Sequence, residues 1–227
     1  MIAVDGLTKI YRLGMVEVPA LRGVTFELVR GEFLGLMGPS GSGKSTLLHL
    51  LGLLDEPTSG TILIDRVDVS SLDEDERTEY RLRRMGYIFQ DYALVPELTV
   101  RENVAVTAMA QGKSDEENRR DSDDILTLIG LAERLDHLPR ELSGGEQQRV
   151  AIARSMVNRP LILFADEPCA NLDTDNSKAV LDQFRHINKE LEQTVVMISH
   201  EDWHREYFDR IIFLKDGRID RIETVDA

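Results

Sequence analysis

A chain of 227 residues can hold one large or two small domains and can bury a full core without metal or disulfide staples. Its 42% hydrophobic and 30% charged content excludes disordered, collagen-like and small disulfide-rich classes. Lys and Arg total 27 against 41 Asp and Glu, and the net charge of −14 disfavours bulk binding of a polyanion such as DNA or RNA.

The first thirty residues read as short strands at 3–7 and 24–29, the second with Val24, Phe26 and Leu28 alternating with polar positions. Residues 33–37 are an almost continuous apolar run, the pattern of a strand covered on both faces. A Gly-rich loop over 38–43 follows, then a helix rich in Leu47, Leu48, Leu50 and Leu51, and a strand at 61–64. Ser71 and Glu74 form a capping-box pattern, and the helix behind it ends in Arg81, Arg83 and Arg84, as the helix dipole favours. Residues 86–90 read as a strand. Thr99 and Glu102 form a second capping box, opening a helix to about Gln111. The polar stretch 112–124 reads as loop plus the first turn of a helix whose buried side is Ile125, Leu128 and Ile129. A helix from Ser143 to about Asn158 is stopped by Pro160. Buried strands at 161–165 and 194–199 flank an amphipathic helix carrying Val180, Leu181, Phe184, Ile187 and Leu191. Asp216-Gly217 between two apolar stretches is a hairpin signal. Buried strands alternating with helices imply a mostly parallel sheet, with 91–158 as a helical insertion.

The lone Cys169 allows no internal disulfide and fits a reducing compartment. No apolar run approaches the roughly 18 residues of a membrane span, and the N-terminus reaches Asp5 and Lys9 without a signal-peptide segment. The chain is expected in the cytoplasm unless a partner holds it at a membrane.

Gly38, Pro39, Ser40, Gly41, Ser42, Gly43, Lys44 and Ser45 match the phosphate-binding loop G-x-x-x-x-G-K-[ST]. The glycines bring backbone N–H groups to an anion, and the helix after them, with Thr46 in its first turn, adds a positive dipole. Lys44 can reach the β- and γ-phosphates, and the Ser45 hydroxyl can ligate Mg²⁺. The strand before Asp166-Glu167 places one acid beside the phosphates to hold the metal and a second to polarise the attacking water. Ser143-Gly144-Gly145-Glu146 reads as a further capping box, but two glycines in a first helical turn each sacrifice up to about 1 kcal/mol against Ala. Bare backbone at a helix start suits an approaching anion. A second such site in a chain that already has a phosphate cradle suggests that two chains share each nucleotide.

A phosphate loop, the run Leu142-Ser-Gly-Gly-Glu-Gln-Gln-Arg149 and a hydrophobic strand ending in Asp166-Glu167, in this order, resemble the ATPase subunit of ABC transporters over essentially the whole chain. The resemblance implies an α/β fold: a P-loop NTPase with a RecA-like core, an N-terminal antiparallel β part and an inserted α-helical subdomain. The core would span 1–90 and 159–227, and the subdomain 91–158. It also implies Gln90 as the glutamine of the loop joining the two parts, a nucleotide and Mg²⁺ contact. By the same match Asn171-Leu-Asp173 follows the catalytic Glu167, and His200 senses the γ-phosphate. Tyr11 would stack on adenine. Cofactors would be ATP and Mg²⁺, partners a transmembrane permease and a second copy of the chain in an ATP-dependent homodimer.

Residues 11–21, 52–60 and 89–96 are similar to the lipoprotein-release and macrolide-export group, with the cell-division ATPase a near relative. Cys169-Ala170 depart from the usual Thr-Gly of the family, a change between small residues. The regulatory domain of sugar-importer ATPases is not expected. Two readings stay open: an engine for transport or extraction by a permease on the inner face of the cell membrane, and an ATP-dependent switch for an envelope or division partner that moves no solute. A soluble ATPase acting on DNA or ribosomes fits poorly with the −14 charge and the absence of heptad repeats.

Overall fold

The computed structural model describes residues 1–225; the last two residues of the expected 159–227 core segment lie outside the described residues. The chain opens with a long antiparallel hairpin, β1 (Ile2–Leu13) and β2 (Val16–Leu28). Both strands outrun the expected 3–7 and 24–29. Their inner halves bury Ile2, Val4, Leu7, Leu21 and Val24, whereas the outer ribbon leaves Val16 and Val18 exposed. Backbone pairing such as Tyr11 with Val18 extends the strands where burial, and with it the apolar signal, gives out.

β3 (Phe33–Met37) leads through the Gly-rich loop into α1 (Lys44–Leu51). Next come β4 (Ser59–Ile64), β5 (Val67–Asp68), α2 (Glu74–Arg84) and β6 (Met85–Ile88). Three helices follow, α3 (Val100–Met109), α4 (Asp115–Leu128) and α5 (Gly144–Met156). The chain then continues through β7 (Ile162–Asp166), α6 (Thr174–Glu190), β8 (Thr194–Ile198), β9 (Arg210–Lys215) and β10 (Arg218–Thr224).

Two capping expectations change. Ser71 does not open a helix: Asp68 accepts the Ser70 N–H and forms a 3-10 turn over Val69–Ser71, and the capping box belongs to Asp73 and Glu76. The polar stretch from 112 holds more than a first turn, because Ser114 and Glu117 form a capping box that starts α4 at Asp115. The Thr99–Glu102 and Ser143–Glu146 boxes are present as expected.

The strands make two sheets, an antiparallel one in the order β2-β1-β4-β5 and a six-stranded one in the order β10-β9-β3-β8-β7-β6. In the larger sheet β9, β3, β8, β7 and β6 run parallel and β10 pairs antiparallel with β9. Alternate residues of the central strands enter different cores. Leu34, Leu36, Phe164, Val196 and Ile198 join Leu47, Leu50 and Leu51 of α1 and the apolar face of the antiparallel sheet. Phe33, Leu163, Ala165, Val195 and Met197 face Val104, Leu126, Val150, Val180 and Phe184 on the helices. Strands buried on both faces need continuous apolar runs. The β9–β10 turn has Asp216 at φ 50° and Gly217 at φ 75°, the type I′ geometry that Asp-Gly favours.

Candidate functional site

Parallel strands deliver their following loops to one edge of the sheet, where α/β proteins bind ligands. β3 delivers the phosphate loop, its neighbour β8 delivers His200, β7 delivers Asp166 and Glu167, and β6 delivers Gln90. Distant stretches of sequence are thereby gathered along one crevice.

The loop is built around its backbone. Gly38 has φ 138°, and a Cβ there would lie 2.1 Å from the Leu214 carbonyl oxygen, so no side chain fits. The Gly217 N–H donates to Ser42 O at 3.1 Å, so the terminal hairpin braces the loop. Gly43 caps α1 in a left-handed conformation and contributes no side-chain bond. The other five α-helices among the described residues have a side-chain acceptor on their first turn, from Asp73, Thr99, Ser114, Ser143 and Asp173. The start of α1 keeps free N–H groups and an uncompensated positive dipole, which is the chemistry of an anion site. Ser42 Oγ is buried there with no partner. Lys44 is buried, and its Nζ donates only to Gly38 O at 3.0 Å and Pro39 O at 2.9 Å. Burial pushes its pKa down, against the pull of Glu167 and Asp166.

Asp166, at the end of β7, has its carboxyl pushed above the usual range chiefly by burial; the charges of His49 and Lys44 oppose this. His49 Nε2 stands 3.9 Å from Asp166 Oδ2. Glu167 is held at φ 49°, a left-handed conformation uncommon for residues other than Gly, and its Oε1 meets His200 Nε2 at 2.7 Å. Among the described residues no group of three or more His, Cys, Asp or Glu is placed to hold a metal. Mg²⁺ needs no such cage, since one or two protein oxygens plus phosphate and water suffice. The exposed Ser45 hydroxyl and the Asp166 carboxylate are donors of that hard-oxygen kind.

Gln90 is exposed, and its carbonyl accepts from Asn171 Nδ2 at 3.3 Å. The loop after it is tied to α3 by Asn103, whose Oδ1 accepts the Val95 N–H at 2.7 Å and whose Nδ2 donates to Val95 O at 3.1 Å. Tyr11 donates to Asp55 Oδ2 at 2.9 Å, and Lys9 bonds Asp55 at 2.6 Å while lying 4.9 Å from the Tyr11 ring centre.

Ser143 is exposed at the start of α5. Its N–H and hydroxyl both donate to Glu146 Oε2 at 2.9 Å, and Arg134 donates to the other Glu146 oxygen at 3.1 Å. A Cβ on Gly145 would lie 2.5 Å from Asn176 Oδ1, and one on Gly144 would lie 2.9 Å from the Tyr92 hydroxyl. Both glycines therefore also make room for this chain's own side chains, a reason not visible in the motif. Among the described residues no hydrogen bond joins residues 143–146 to residues 38–46. The sequence assigns Asn103, Asn176 and His49 no role, and it marks Asp55 and Tyr92 only as members of the stretches 52–60 and 89–96, because ordinary polar residues carry no spacing signal.

The family described as "ABC transporter" matches residues 21–170. The chain belongs to that family. An uncharacterised ABC transporter ATP-binding protein of Thermotoga maritima is 46% identical over 95% of this chain and 92% of its own length. The lipoprotein-releasing system ATP-binding protein LolD 2 of Caulobacter vibrioides is 42% identical over 97% of this chain and 96% of its own. The macrolide export ATP-binding/permease protein MacB of Syntrophobacter fumaroxidans is 43% identical over 97% of this chain, which spans only 31% of that larger protein. The ATP-binding cassette MJ0796 of Methanocaldococcus jannaschii, solved as a dimer in a post-hydrolysis state with ADP and Pi, superposes with a TM-score of 0.90 at 38% identity, covering 100% of both chains. The P-loop NTPase fold expected from the sequence is the fold observed. As an ABC cassette of the LolD and MacB group, this chain is an ATP-binding, ATP-hydrolysing subunit.

Proposed function

We propose that two copies of the chain close around two ATP molecules and drive conformational change in a separate membrane permease, in export or extraction of the lipoprotein-release or macrolide type. The observation that carries this is the gathering of Lys44, Asp166, Glu167 and His200 around the one α-helix start among the described residues that no side chain caps. Residues 38–46 hold the phosphates. Ser45, Gln90 and Asp166 hold Mg²⁺, which would neutralise charge on the β- and γ-phosphates. Glu167 takes a proton from water as its oxygen attacks the γ-phosphorus, and the electron pair of the broken bond leaves with ADP. His200 orients Glu167 and meets the γ-phosphate. Ser143, Gly144, Gly145 and Glu146 of one chain close on the nucleotide held by the other. Purified protein should hydrolyse ATP, and turnover should respond to the permease and its substrate; turnover indifferent to both would defeat the transport reading.

The resemblance assigns the adenine stack to Tyr11. Tyr11→Ala should weaken ATP binding by roughly 1–3 kcal/mol in calorimetry, the worth of an aromatic–base stack. Tyr11→Phe should lose only the bond to Asp55 and keep most of the affinity. Unchanged affinity in Tyr11→Ala would leave the ring as part of the Lys9–Asp55 cluster and nothing more.

On the proposed division into a core of 1–90 and 159–227 and a helical part of 91–158, a groove of about 500 Å³ lined by Phe89, next to Gln90 in sequence, and by Val106 and Arg154 lies where the two parts would meet, and we assign it to the permease. Leu54, Phe89 and Val106 expose apolar surface along it. Arg154 adds a guanidinium that bonds only the carbonyls of Tyr92 and Ala93. A cytoplasmic permease segment with an apolar face and a carboxylate fits this lining. Among the described residues no helix is long and apolar enough to cross a membrane, so such a partner would place the chain on the inner face. Val106→Asp should weaken co-purification with a multi-span protein about 30-fold, the cost of losing an interface hot spot. Leu191→Asp, on a different apolar patch, should not.

A further inference from the structure

The turn that presents His200 is held by a second histidine. His204 is 4% exposed and lies in the 3-10 turn Asp202–Tyr207 that follows β8. Its Nδ1 is 2.7 Å from Ser199 Oγ, itself on a residue 3% exposed. The same Ser199 Oγ accepts the Glu201 N–H at 3.2 Å, and the His204 N–H donates to Glu201 O at 3.1 Å. On its inner side the Ser199 N–H reaches Leu36 O of β3 at 3.2 Å. Ser199 and Glu201, the residues on either side of His200, thus share one oxygen, and the His204 ring fixes that oxygen.

The proton arrangement follows from this network. Burial pushes the His204 pKa down, so the ring is neutral at pH 7. Ser199 Oγ accepts from Glu201, and among the described residues its own proton has no acceptor but Nδ1. The ring proton is then on Nε2, which is buried with no partner among the described residues. A buried donor without a partner is costly to the fold. Apolar side chains at both 199 and 204 would avoid that cost, so stability alone does not account for the Ser199–His204 pair. A cavity of about 290 Å³, bordered by Glu167, Cys169, His200, Trp203 and His204, leaves the turn room to relax if the ring is lost.

We propose that His204 is a positioning residue for ATP hydrolysis: through Ser199 it holds the turn that keeps His200 against Glu167. This rests on the reading of Glu167 and His200 as the catalytic pair. The test is ATP turnover and thermal melting of the full chain. His204→Leu should lower kcat about fivefold to tenfold, the worth of one buried hydrogen bond, with the KM for ATP within about twofold of the parent. Its melting temperature should stay within a few degrees of the parent, because the unpaired Nε2 is gone while the Ser199 hydroxyl loses its acceptor. His204→Asn, whose amide can take the place of Nδ1, should restore most of the rate. Ser199→Ala should match His204→Leu, and the two together should be no worse than either alone. His200→Ala is run in parallel. Full turnover there would remove the catalytic reading and the inference with it. Loss of turnover in His200→Ala alongside a parental rate in His204→Leu would overturn the inference alone. A fall in rate, melting temperature and ATP affinity together, without rescue by Asn, would overturn it as well, by making His204 a packing residue.

Discussion

Lys44→Ala is expected to abolish ATP turnover, by at least about 100-fold, the scale seen when one preorganised donor to a developing negative charge is removed. The side chain is an ammonium held in a buried position with only two carbonyls for company. Burial lowers its pKa, so holding the charge there costs the nucleotide-free fold, and Lys44→Ala should leave its melting temperature unchanged or raise it. The cost makes sense if phosphates are the missing partner. In the parent, ATP should raise the melting temperature by several degrees, because a ligand bound only to the folded state stabilises it by mass action. Lys44→Ala should lose most of that rise together with its turnover. A variant that keeps both would remove Lys44 from the phosphate site.

The sequence was most legible where one physical demand wrote the pattern. β3, β7 and β8 are apolar at almost every position because alternate residues serve two cores, and they stand within a residue of expectation. The phosphate loop was legible for a similar reason: Gly38 has the Leu214 carbonyl where a Cβ would go, and Gly43 must be left-handed. Capping was legible only where one candidate stood alone. Ser71–Glu74 and Asp73–Glu76 compete within six residues, and the carboxylate of Asp68 decides by drawing Ser70 into a separate turn. The Ser114 cap is silent in the sequence because α4 stays polar for its first ten residues, so no apolar period follows it. The polar positioning groups were the least legible part. Asn103, Asn176 and His204 act through contacts 3 to 8 residues away or across the fold, and their neighbours carry no repeated spacing. The left-handed backbone of Glu167 leaves no trace in composition at all.

Glu167→Gln should bind ATP, lose hydrolysis by about 10²–10⁴, the usual worth of a general base, and trap a dimer. Gln keeps the length and shape of Glu, and its Oε1 can still accept from His200 Nε2, so the 2.7 Å contact and the turn behind it should persist. The amide cannot take the proton of the attacking water. Lys44, Ser45 and Asp166 are untouched, so the groups proposed to hold the phosphates and Mg²⁺ remain. The dimer follows from where the helix start at Ser143, proposed to meet the partner's nucleotide, lies. Ser143 is exposed, the glycines after it pack beside Tyr92 and Asn176, and no hydrogen bond among the described residues links Ser143 to its own phosphate loop. A second copy can bring its loop to that face. The γ-phosphate would then lie between the two chains, with donors from both, and ADP would lack the group that joins them. Size-exclusion chromatography of Glu167→Gln should give a dimer with ATP, and a monomer with ADP or without nucleotide. A monomer in all three conditions, with ATP measurably bound, would defeat the shared site. Adding Ser143→Arg should disperse the dimer and spare ATP binding, because a long side chain blocks the second face while residues 38–46 remain intact. If that double variant stayed dimeric, the contact holding the two chains would have to lie away from Ser143.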